Sequence, residues 1–583
     1  MGRDFIDFFN LMDFDPWDEG LDMRCYTADF ETTTDLDDCR VWAFATCPID
    51  GRYEVEYGNS IEGFMSWCEC VANCRVYFHN LAFDGAFLIS WLETHGWRWV
   101  EKRQDVADMT YTTLISDMNQ VYSITLYFTP QWRISIYDSL KVIPLSIEQM
   151  AKAYNLPILK GELDYAAYRE PGHILTQEEK DYIRNDVQIA AMALKTVLDE
   201  GMQKMTAGSN ALYTFKKSVG GAHGFRKLFP LLDSQQDAFI RKAYRGGFTY
   251  VNPKFAGRKL GEGIVFDVNS LYPSVMASCD GQLLPYGKPS WFDGEPPFGD
   301  SHHPLWVASV SCKFKVKPDH IPCIQLKGNW RFGSTEYVED SKGEVTMCVT
   351  NVDWELINRQ YDVRMVEWNG GYSFKGADWI FKKYVEHWNG VKVEAGREGN
   401  AGLRQLAKLM LNSLYGKFAT RTTVVSRRPV MDDDGVLHYV DMEPEERDGV
   451  YLPVGVFVTS WARFKTITSA QAVYDRFVYA DTDSLHLVGT EIPEGLDVDA
   501  FRLGAWKHES TFDQAKFLRA KCYVEHEVGA DELTVHVAGM PSRCHGQVGI
   551  DTFDFGMKYR GKLYQRRVKG GIVLVEGDME IRR

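Results

Sequence analysis

An apolar, β-prone run that carries two acids one residue apart places the tightest constraint on how this chain can fold. The run reads VYADTDSLHL, and its acids are Asp481 and Asp483. In an extended strand, side chains two positions apart lie on the same face, so the two carboxylates would repel each other. A divalent cation with oxygen ligands would remove this conflict. A β-hairpin that uses Asp and Ser as ordinary turn formers would also explain the pattern.

The length and composition indicate a large folded protein of several domains. The chain has 583 residues, and 45% of them are hydrophobic, which is ample for several cores. No apolar run approaches 18 residues, and the first residues lack a signal-peptide pattern, so we expect neither a membrane span nor secretion. The 12 cysteines are scattered, which indicates a reduced, cytosolic protein.

The charge of the chain is unevenly distributed. The net charge is −16, but residues 1–38 hold 12 acids and 2 bases, whereas residues 536–583 hold 9 bases and 5 acids. In the last segment, lysines and arginines alternate with Tyr559 and Tyr564. Such interleaving suits phosphate contacts combined with base stacking. A solvated hairpin face explains it equally well.

Acidic residues recur at three separated places in the first third of the chain. The stretch YTADFETTT puts Asp29 and Glu31 on one face of a predicted strand. HNLAFDG adds Asp84, and YIRND puts Tyr182 and Asp186 one helical turn apart. Four carboxylates and a tyrosine can hold two metal ions and orient an attacking water, which is the chemistry of phosphodiester hydrolysis. Each motif alone is more often a turn or a surface helix, so the prediction depends on their combination.

A second acidic set begins at Asp267, which follows the strand-like run IVF. A helix is predicted to open at Leu271, with Asn269 or Ser270 as its cap and a proline in its first turn. The start of a helix offers free backbone N–H groups to phosphate. With the acids of VYADTDSLHL, Asp267 can surround two metal ions, so we expect a hairpin whose tip carries metal ligands.

The stretch LRQLAKLMLNSLYG predicts an amphipathic helix that ends at Gly416. Its polar face carries Arg404, Lys408, Asn412 and Tyr415. A row of cations that ends in an aromatic ring suits a triphosphate and its base. A routine amphipathic helix is the alternative.

The remaining pattern gives a coarse outline of the fold. β-like runs alternate with helical stretches in the first third, which predicts a mixed α/β domain; these runs are Val41–Thr46, Val76–Phe78, Val121–Tyr127 and Ile134–Tyr137. Further on, the sequence predicts a junction at Tyr244–Gly247, a helix at Asn351–Asn358, a hairpin turn at Met431–Gly435 and strands after Gly549.

From about residue 24 to residue 583, the sequence resembles the protein-primed family B DNA polymerases of small tailed phages, the phi-twenty-nine type. The resemblance lies in the residues of these motifs and in their order along the chain. The resemblance implies an α/β multidomain fold, in which an RNase H-like 3′–5′ exonuclease domain precedes a palm, fingers and thumb polymerase domain with two terminal-protein-region insertions. The implied segments are an acidic N-terminal extension (1–23), the exonuclease domain (24–207), the first part of the palm (208–282), insertion 1 (283–379), the fingers (380–419), insertion 2 (420–448), the second part of the palm (449–537) and the thumb (538–583).

The resemblance also implies the residues of two active sites. In the exonuclease, the implied catalytic residues are Asp29, Glu31, Asp84, Tyr182 and Asp186, of which Asp29, Glu31 and Asp186 hold metal. Glu162 stands where the family has Asp and is counted with these metal residues. The residues implied to hold the frayed single strand are Thr32, His79, Asn80, Phe83 and Lys160.

In the polymerase, the resemblance implies that Asp267, the carbonyl of Val268, Asp481 and Asp483 form the catalytic metal site. The implied nucleotide-binding residues are Ser270, Leu271, Tyr272, Lys392, Lys408, Asn412 and Tyr415, with Tyr272 beneath the incoming sugar. The implied DNA-binding residues are Tyr244, Arg245, Gly246 and Gly247 for the template and Thr459, Arg463, Lys521 and Tyr523 for the primer end.

These implications define the expected function. We expect a replicative DNA-directed DNA polymerase with protein-primed initiation, strand displacement and 3′–5′ proofreading, acting on a linear viral genome in the cytoplasm of an infected bacterium. Its cofactor would be Mg²⁺ at two-metal sites in both domains, with Mn²⁺ as a substitute. Its partners would be template and primer DNA, dNTPs, a terminal protein bound as a heterodimer during initiation, and a single-stranded DNA-binding protein, with no membrane.

Two alternatives stay open at this point. One is a family B polymerase that starts synthesis without a protein primer. The other is a nuclease or DNA-binding scaffold whose polymerase half is inactive, although the intact Asp267/Asp483 pair and Lys408 argue against it.

Overall fold

The computed structural model of the protein describes residues 24–71, 73–165 and 167–583. The predicted acidic extension of residues 1–23 lies outside these ranges. Within them, no helix is both long enough and apolar enough to cross a membrane. The predicted domain boundaries stay predictions, but the sheets described below show how the parts of the chain are connected.

Helices and strands alternate along the chain. The α-helices are α1 (Ile61–Val71), α2 (Leu81–Thr94), α3 (Ser139–Val142), α4 (Ile147–Ala153), α5 (Gln177–Asp199), α6 (Ala207–Ser218), α7 (Gly221–Leu228), α8 (Ser234–Arg241), α9 (Leu271–Met276), α10 (Asn351–Gln360), α11 (Lys382–Arg397), α12 (Ala401–Phe418) and α13 (Leu452–Ala472). The first strands are β1 (Cys25–Thr32), β2 (Val41–Pro48), β3 (Glu56–Gly58), β4 (Cys74–Phe78), β5 (Arg98–Trp99), β6 (Thr110–Ser116), β7 (Val121–Thr129), β8 (Trp132–Asp138), β9 (Thr249–Val251), β10 (Lys259–Leu260), β11 (Gly263–Val268), β12 (Leu284–Phe292) and β13 (Leu305–Val316). The later strands are β14 (Val345–Thr350), β15 (Tyr361–Ala377), β16 (Thr423–Val424), β17 (Ser426–Met431), β18 (Leu437–Asp441), β19 (Glu445–Glu446), β20 (Phe477–Asp481), β21 (Ser484–Val488), β22 (Trp506–Arg519), β23 (Cys522–Glu527), β24 (Thr534–Val537), β25 (Lys558–Val568) and β26 (Gly571–Glu580).

The N-terminal sheet has the strand order β18-β17-β6-β7-β8-β4-β1-β2-β3, with β5 paired to β6. Strand β4 runs parallel to both β1 and β8 in its centre. Helix α5 packs against β1 and β2, and its start at Gln177 is fixed by a capping box between Thr176 and Glu179. The predicted mixed α/β character of this third and its four β-like runs are confirmed.

The central sheet has the strand order β24-β23-β22-β11-β21-β20-β9, with β10 paired to β22. Strand β11 lies between β22 and β21 and is antiparallel to both. Helix α13 is buried along most of its length and packs against this sheet and against α12. The predicted hairpin within VYADTDSLHL is confirmed, because β20 and β21 pair directly.

A third sheet, in the order β12-β15-β13-β14, lies within residues 284–377. Helix α10 follows its strand β14 directly, which confirms the predicted helix at Asn351–Asn358. The segment thus folds around its own aromatic core, which includes Trp306, Phe314 and Tyr361.

A hairpin formed by β17 and β18, which we call the bridging hairpin, confirms the predicted turn at Met431–Gly435. Its location was not predicted. Strand β17 pairs with β6 and so extends the N-terminal sheet. On the other side, Val436 forms a β-bridge with Lys569, in the hairpin of β25 and β26 that we call the tail hairpin. The bridging hairpin therefore connects two parts of the protein that are more than 400 residues apart in sequence.

Two local predictions were wrong. Helix α12 ends at Phe418 and not at Gly416, because Phe418 is buried in the core and its packing keeps the last turn helical. Ser270 does precede α9, but its side chain makes no capping hydrogen bond. Its backbone instead adopts the left-handed conformation, with φ 56°, so this tight turn joins β11 to the helix.

Candidate active sites

The first site forms where β1 faces α5 and the start of α2. Alternation along β1 turns three apolar side chains into the core, namely Tyr26, Ala28 and Phe30. The intervening residues Asp29 and Glu31 therefore lie on the other face. There the charge of Asp186, one helical turn after Tyr182 on α5, acts on both of them.

These elements enclose a cavity of about 880 Å³. The predicted residues that line it are Asp29, Glu31, Thr32, His79, Asn80, Phe83, Asp84, Lys160, Tyr182 and Asp186. Glu162 does not line this cavity, and its side chain is exposed to solvent. The structure thus brings together every predicted residue of this site except Glu162.

The surroundings of the carboxyl groups in this cavity disfavour their ionisation. Burial, together with the charge of Asp186, raises the pKa of Asp29 to about 7. Burial and the charge of Asp29 also raise the pKa of Glu31 and of Asp84 well above the usual range. Burial raises the pKa of Asp186 as well, although the nearby Lys160 opposes this effect. A set of buried, mutually repelling carboxylates requires added positive charge.

Lys160 supplies part of that charge. Its Nζ donates to Oδ2 of Asp186 at 2.8 Å, while Oδ1 of Asp186 is buried and accepts no hydrogen bond within the described residues. In the ranges that the structure describes, no three His, Cys, Asp or Glu side chains are spaced closely enough to hold a metal ion as they stand. The donor chemistry nevertheless fits a divalent cation, because the cavity gathers carboxylates and the Asp186 Oδ1 atom among them has no hydrogen-bond partner within the described residues.

Asp138, a residue that we did not predict, positions the residues that were predicted to hold a single strand. Its Oδ1 accepts hydrogen bonds from the backbone N–H groups of Asn80 at 3.0 Å and Leu140 at 2.9 Å. Asn80 can therefore hold its left-handed backbone, with φ 70°, just before α2. The neighbouring His79 pairs with the Ser139 hydroxyl at 2.9 Å, and burial lowers its pKa to about 4, so it is neutral at physiological pH.

Other unpredicted residues line the same cavity. The hydroxyl of Tyr165 hydrogen-bonds to that of Tyr182. From the end of the chain come Arg543, Leu563, Gln565, Ile572 and Leu574. The alternation of bases and aromatics in the tail indicated a nucleic-acid contact, but no sequence signal places these residues beside β1.

The second site forms at the centre of the central sheet. Asp267, near the end of β11, is paired with Ser484 on β21 and with Lys507 on β22. Asp483 lies in the turn between β20 and β21, where the preceding residue Thr482 has φ 61°. Asp481 and Asp483 therefore do not lie on one face of an extended strand, because the chain turns between them, as the predicted hairpin requires.

The turn nevertheless brings Asp483 beside Asp267. The backbone N–H of Val268 donates to the carbonyl oxygen of Asp483 at 2.8 Å. Burial and the charge of Asp483 raise the pKa of Asp267 to about 7, and burial raises the pKa of Asp483. This pair of carboxylates fits a divalent cation on the same chemical grounds as the first site.

The Asp481 carboxylate forms an ion pair and hydrogen bonds with other residues. Lys521 Nζ contacts both of its oxygens, at 3.1 and 3.0 Å, and the Thr249 hydroxyl donates to Oδ1 at 2.9 Å. The structure thus shows Asp481 as the counter-ion of Lys521, and a metal-binding role for Asp481 stays a prediction.

Cations collect above the second site. Lys408 and Arg404 on α12 lower the pKa of Lys392 on α11, although burial is the larger cause. Lys408 has its pKa lowered in turn by burial, Arg404 and Lys507. Within the described residues, neither lysine forms an ion pair with a carboxylate. Clustered cations without counter-ions form a site for a polyanion such as a triphosphate.

Two aromatic side chains also belong to the second site. The rings of Tyr272 on α9 and Tyr415 on α12 stack with centroids 4.0 Å apart. Asn412, one turn before Tyr415 on the outward face of α12, is exposed. The predicted nucleotide-binding residues are therefore neighbours, with Ser270 and Leu271 at the start of α9.

Three of the predicted DNA-binding residues are buried instead. Thr459 is 0% exposed, and its hydroxyl donates to the Gly455 and Val456 carbonyls within its own helix. Tyr523 packs among aromatic rings, including Tyr479. These two side chains thus have little exposed surface, and their contact with DNA stays a prediction.

Arg463, the third of them, is only 4% exposed. Its Nη1 donates to the carbonyls of Arg245 and Gly246, at 2.8 and 3.0 Å, and its Nη2 donates to Asp353 at 2.6 Å. Arg463 therefore holds the backbone of the predicted template segment, Tyr244–Gly247, in place.

Comparison with known proteins gives consistent matches over most of the chain. A family model for DNA polymerase type B, organellar and viral, matches residues 71–175 and 168–500. The DNA polymerase of Bacillus phage Nf is 43% identical over 585 residues, which cover 96% of this chain and 100% of the phage protein. The solved structure of phi29 DNA polymerase complexed with primer-template DNA and incoming nucleotide substrates is 41% identical with a TM-score of 0.89, and the match covers 96% of this chain and 100% of that chain. The phi29 structure with single-stranded DNA matches with the same coverage, a TM-score of 0.89 and 40% identity.

The close packing of Gly247 on the hairpin turn yields a prediction. A Cβ atom at Gly247 would lie 2.5 Å from Oγ1 and 2.8 Å from Cγ2 of Thr482, so Gly247→Ala should displace the turn that carries Asp483. Overpacking of this kind costs about 1–3 kcal/mol. If about 1.4 kcal/mol of this cost is added to the activation barrier, primer extension should slow about tenfold.

The measurement compares primer extension with degradation of a single-stranded oligonucleotide by the same preparation. Degradation should stay within about twofold of wild type. Gly261→Ala is the matched control, because a Cβ there meets nothing within 4 Å. Equal extension by the two variants would show that the turn tolerates the displacement.

Proposed function

This chain belongs to the organellar and viral type B DNA polymerases, in their phi29-type phage branch, and we propose that it replicates a linear viral genome. DNA-directed DNA polymerase activity follows from the family, whose relatives are phage DNA polymerases. The proposed parts are initiation on the hydroxyl of a terminal protein, strand displacement, 3′–5′ proofreading and the cytoplasm of the host as the place of action. A single-stranded DNA-binding protein is proposed as a further partner.

One observation carries the proposal of two activities. The chain has two separate sets of buried carboxylates with raised pKa values, one on β1, α2 and α5 and one on β11 and the β20–β21 turn. Each set has an ammonium group at its margin, Lys160 in the first and Lys521 in the second. The two sets lie in different sheets, so one can act while the other is empty.

In the polymerase site, the chain binds and orients the reactants. Lys392 and Lys408 contact the triphosphate, and the stacked rings of Tyr272 and Tyr415 support the incoming sugar and base. The 3′-hydroxyl of the primer, or the hydroxyl of the terminal protein, attacks the α-phosphate and releases pyrophosphate. Asp267 and Asp483 would hold Mg²⁺, which, when bound, supplies positive charge to the attacking and leaving oxygens.

In the exonuclease site, the frayed 3′ end of the strand enters the 880 Å³ cavity. Neutral His79, Asn80 and Phe83 hold the single strand, and the paired hydroxyls of Tyr165 and Tyr182 orient the attacking water. Asp29, Glu31 and Asp186 would hold Mg²⁺ here, and the hydrogen bond from Lys160 favours the ionised form of Asp186. The similar phi29 structure with single-stranded DNA supports a single-strand site in this fold.

The bridging hairpin supports strand displacement. It pairs with β6 on one side and contacts the tail hairpin on the other, where Arg567 Nη1 donates to the Leu437 carbonyl at 3.0 Å. The Arg567 guanidinium also lies over the Tyr439 ring, 4.1 Å from its centroid. We propose that this contact closes a ring of protein around the DNA, which would keep the enzyme on one DNA molecule while it separates the strands ahead.

The first prediction from this proposal is that the two activities can be separated by substitution. Asp483→Ala should slow primer extension at least about 10³-fold, a barrier increase of about 4 kcal/mol, and leave single-strand degradation within about twofold. Asp29→Ala should have the reverse effect, because its carboxylate belongs to the other sheet. Rates of extension and degradation measured on each folded variant test this, and loss of both activities in either variant would contradict the proposal of two sites.

The second prediction concerns sugar selection. Tyr272→Val removes a ring from the stack with Tyr415, so the space beneath the sugar should admit a 2′-hydroxyl. The ratio of rNTP to dNTP incorporation should rise at least about tenfold in single-nucleotide extension. An unchanged ratio would remove Tyr272 from this role.

The third prediction concerns ring closure. Arg567→Ala removes both contacts with the bridging hairpin, so the DNA product made in one binding event should shorten severalfold, with the rate of single-nucleotide addition unchanged. Arg560→Ala is the matched control in the same hairpin, because the Arg560 side chain is 80% exposed and, among the residues that the structure describes, forms an ion pair only with Glu576. Extension in the presence of a DNA trap measures both variants, and equal product lengths would contradict the ring.

A further inference from the structure

The wall of the exonuclease cavity includes a segment without regular structure. The described residues of 156–175, between α4 and α5, form turns and irregular backbone. This segment nevertheless supplies Lys160, which binds Asp186 at 2.8 Å, and Tyr165, whose hydroxyl meets that of Tyr182. Something other than backbone pairing must fix these two side chains, because irregular segments have few internal constraints.

Arg169 is the side chain that folds this segment. It is 7% exposed, and its Nη1 donates to the carbonyl oxygens of Asp164 and Ala167, both at 2.6 Å. Its Nε donates to Oε1 of Glu179 at 3.0 Å. The guanidinium also lies over the Trp42 ring, with the Cζ atom 4.6 Å from its centroid. One buried cation thus ties the segment both to α5 and to β2.

Glu179 completes the arrangement from the first turn of α5. It is 7% exposed, and its Oε2 accepts from the backbone N–H of Thr176 at 3.0 Å and lies 2.7 Å from His173 Nε2. Burial alone would raise its pKa, but hydrogen bonds from His173, Thr176 and Arg169 outweigh that effect and lower the pKa to about 2. The carboxylate is therefore ionised at any pH at which the protein would work.

We propose that Arg169 and Glu179 are positioning residues for the exonuclease: this buried ion pair holds the 156–175 segment so that Lys160 and Tyr165 face Asp186 and Tyr182. The pair itself touches none of the residues to which the reaction was assigned and lies outside the cavity lining. The inference rests on the exonuclease activity proposed above. It means that residues outside the cavity also determine the rate of single-strand degradation.

Glu179→Gln is the sharpest test, because it separates the charge from the helix cap. Gln also serves at the third position of a capping box, so the hydrogen bond to Thr176 and the start of α5 should persist. The amide NH2 group cannot accept the hydrogen bond from Arg169 Nε, so the charge and this hydrogen bond are lost while the cap is kept. The rate constant for degradation of a single-stranded oligonucleotide should fall about 10- to 100-fold, because a displacement near 1 Å has effects of this size. The KM for the oligonucleotide should change less than threefold.

Glu178→Gln is the matched control. Glu178 precedes Glu179 in the same helical turn and is exposed, so the substitution makes the same change in charge and side chain without touching Arg169. It should leave degradation within about twofold of wild type. Primer extension by each variant serves as an internal check of folding, since the polymerase site lies in another sheet, and it should also stay within about twofold.

Two further variants show whether the pair acts through the side chains that it positions. Arg169→Lys keeps the positive charge but replaces the planar fork of Nη1 and Nε with a single ammonium nitrogen, so it should reproduce the loss seen in Glu179→Gln. In a Lys160→Ala/Tyr165→Phe background, where degradation is already slow, Glu179→Gln should add less than a twofold loss, because changes that act on the same groups are not additive.

The outcomes are distinct. A wild-type protein that extends primers but degrades no single strand would contradict the proposed exonuclease itself. If the wild type degrades the strand, then normal degradation by a Glu179→Gln variant that extends primers would overturn the positioning role. Equal losses in Glu178→Gln and Glu179→Gln, or full additivity with the Lys160→Ala/Tyr165→Phe double change, would overturn it as well.

Discussion

Repulsion between buried carboxylates is the constraint on which both candidate sites depend. In each site the fold gathers acids in a place where their ionisation is unfavourable, and in each it places one lysine at the margin, Lys160 or Lys521. A single ammonium group cannot neutralise several carboxylates, so a set such as Asp29, Glu31 and Asp84 keeps raised pKa values. The remaining demand for positive charge is what makes the donor sets suitable for Mg²⁺.

The sheets explain why the two sets stay apart. Strand β1 uses its alternation to bury one face and to present acids on the other, and β11 ends with Asp267 beside the β20–β21 turn. Because each set is built on its own sheet, the chain can hold one DNA end at either place. The bridging hairpin joins the N-terminal sheet, through β6, to the tail hairpin.

The sequence predicted more about the motifs than about what surrounds them. Acids at fixed spacing, such as Asp29 and Glu31, are readable because a strand forces alternate residues onto one face. Thr459 and Arg463 were assigned to DNA by resemblance, but a sequence motif does not show that α13 is buried along most of its length. The pairing of β17 with β6 could not be predicted, because long-range strand pairing depends on chain packing that no local pattern records. Tyr165 and Arg169 were missed because an irregular segment has no periodicity to read.

The most direct test of the central claim uses the wild-type protein alone on a primed single-stranded circular DNA with Mg²⁺. With dNTPs present, the two-site account predicts products longer than one circle, which require displacement of the strand already made. Without dNTPs, the same preparation should shorten the primer from its 3′ end. Shortening in both conditions, with no product longer than the primer, would contradict the claim that this chain both extends and proofreads DNA.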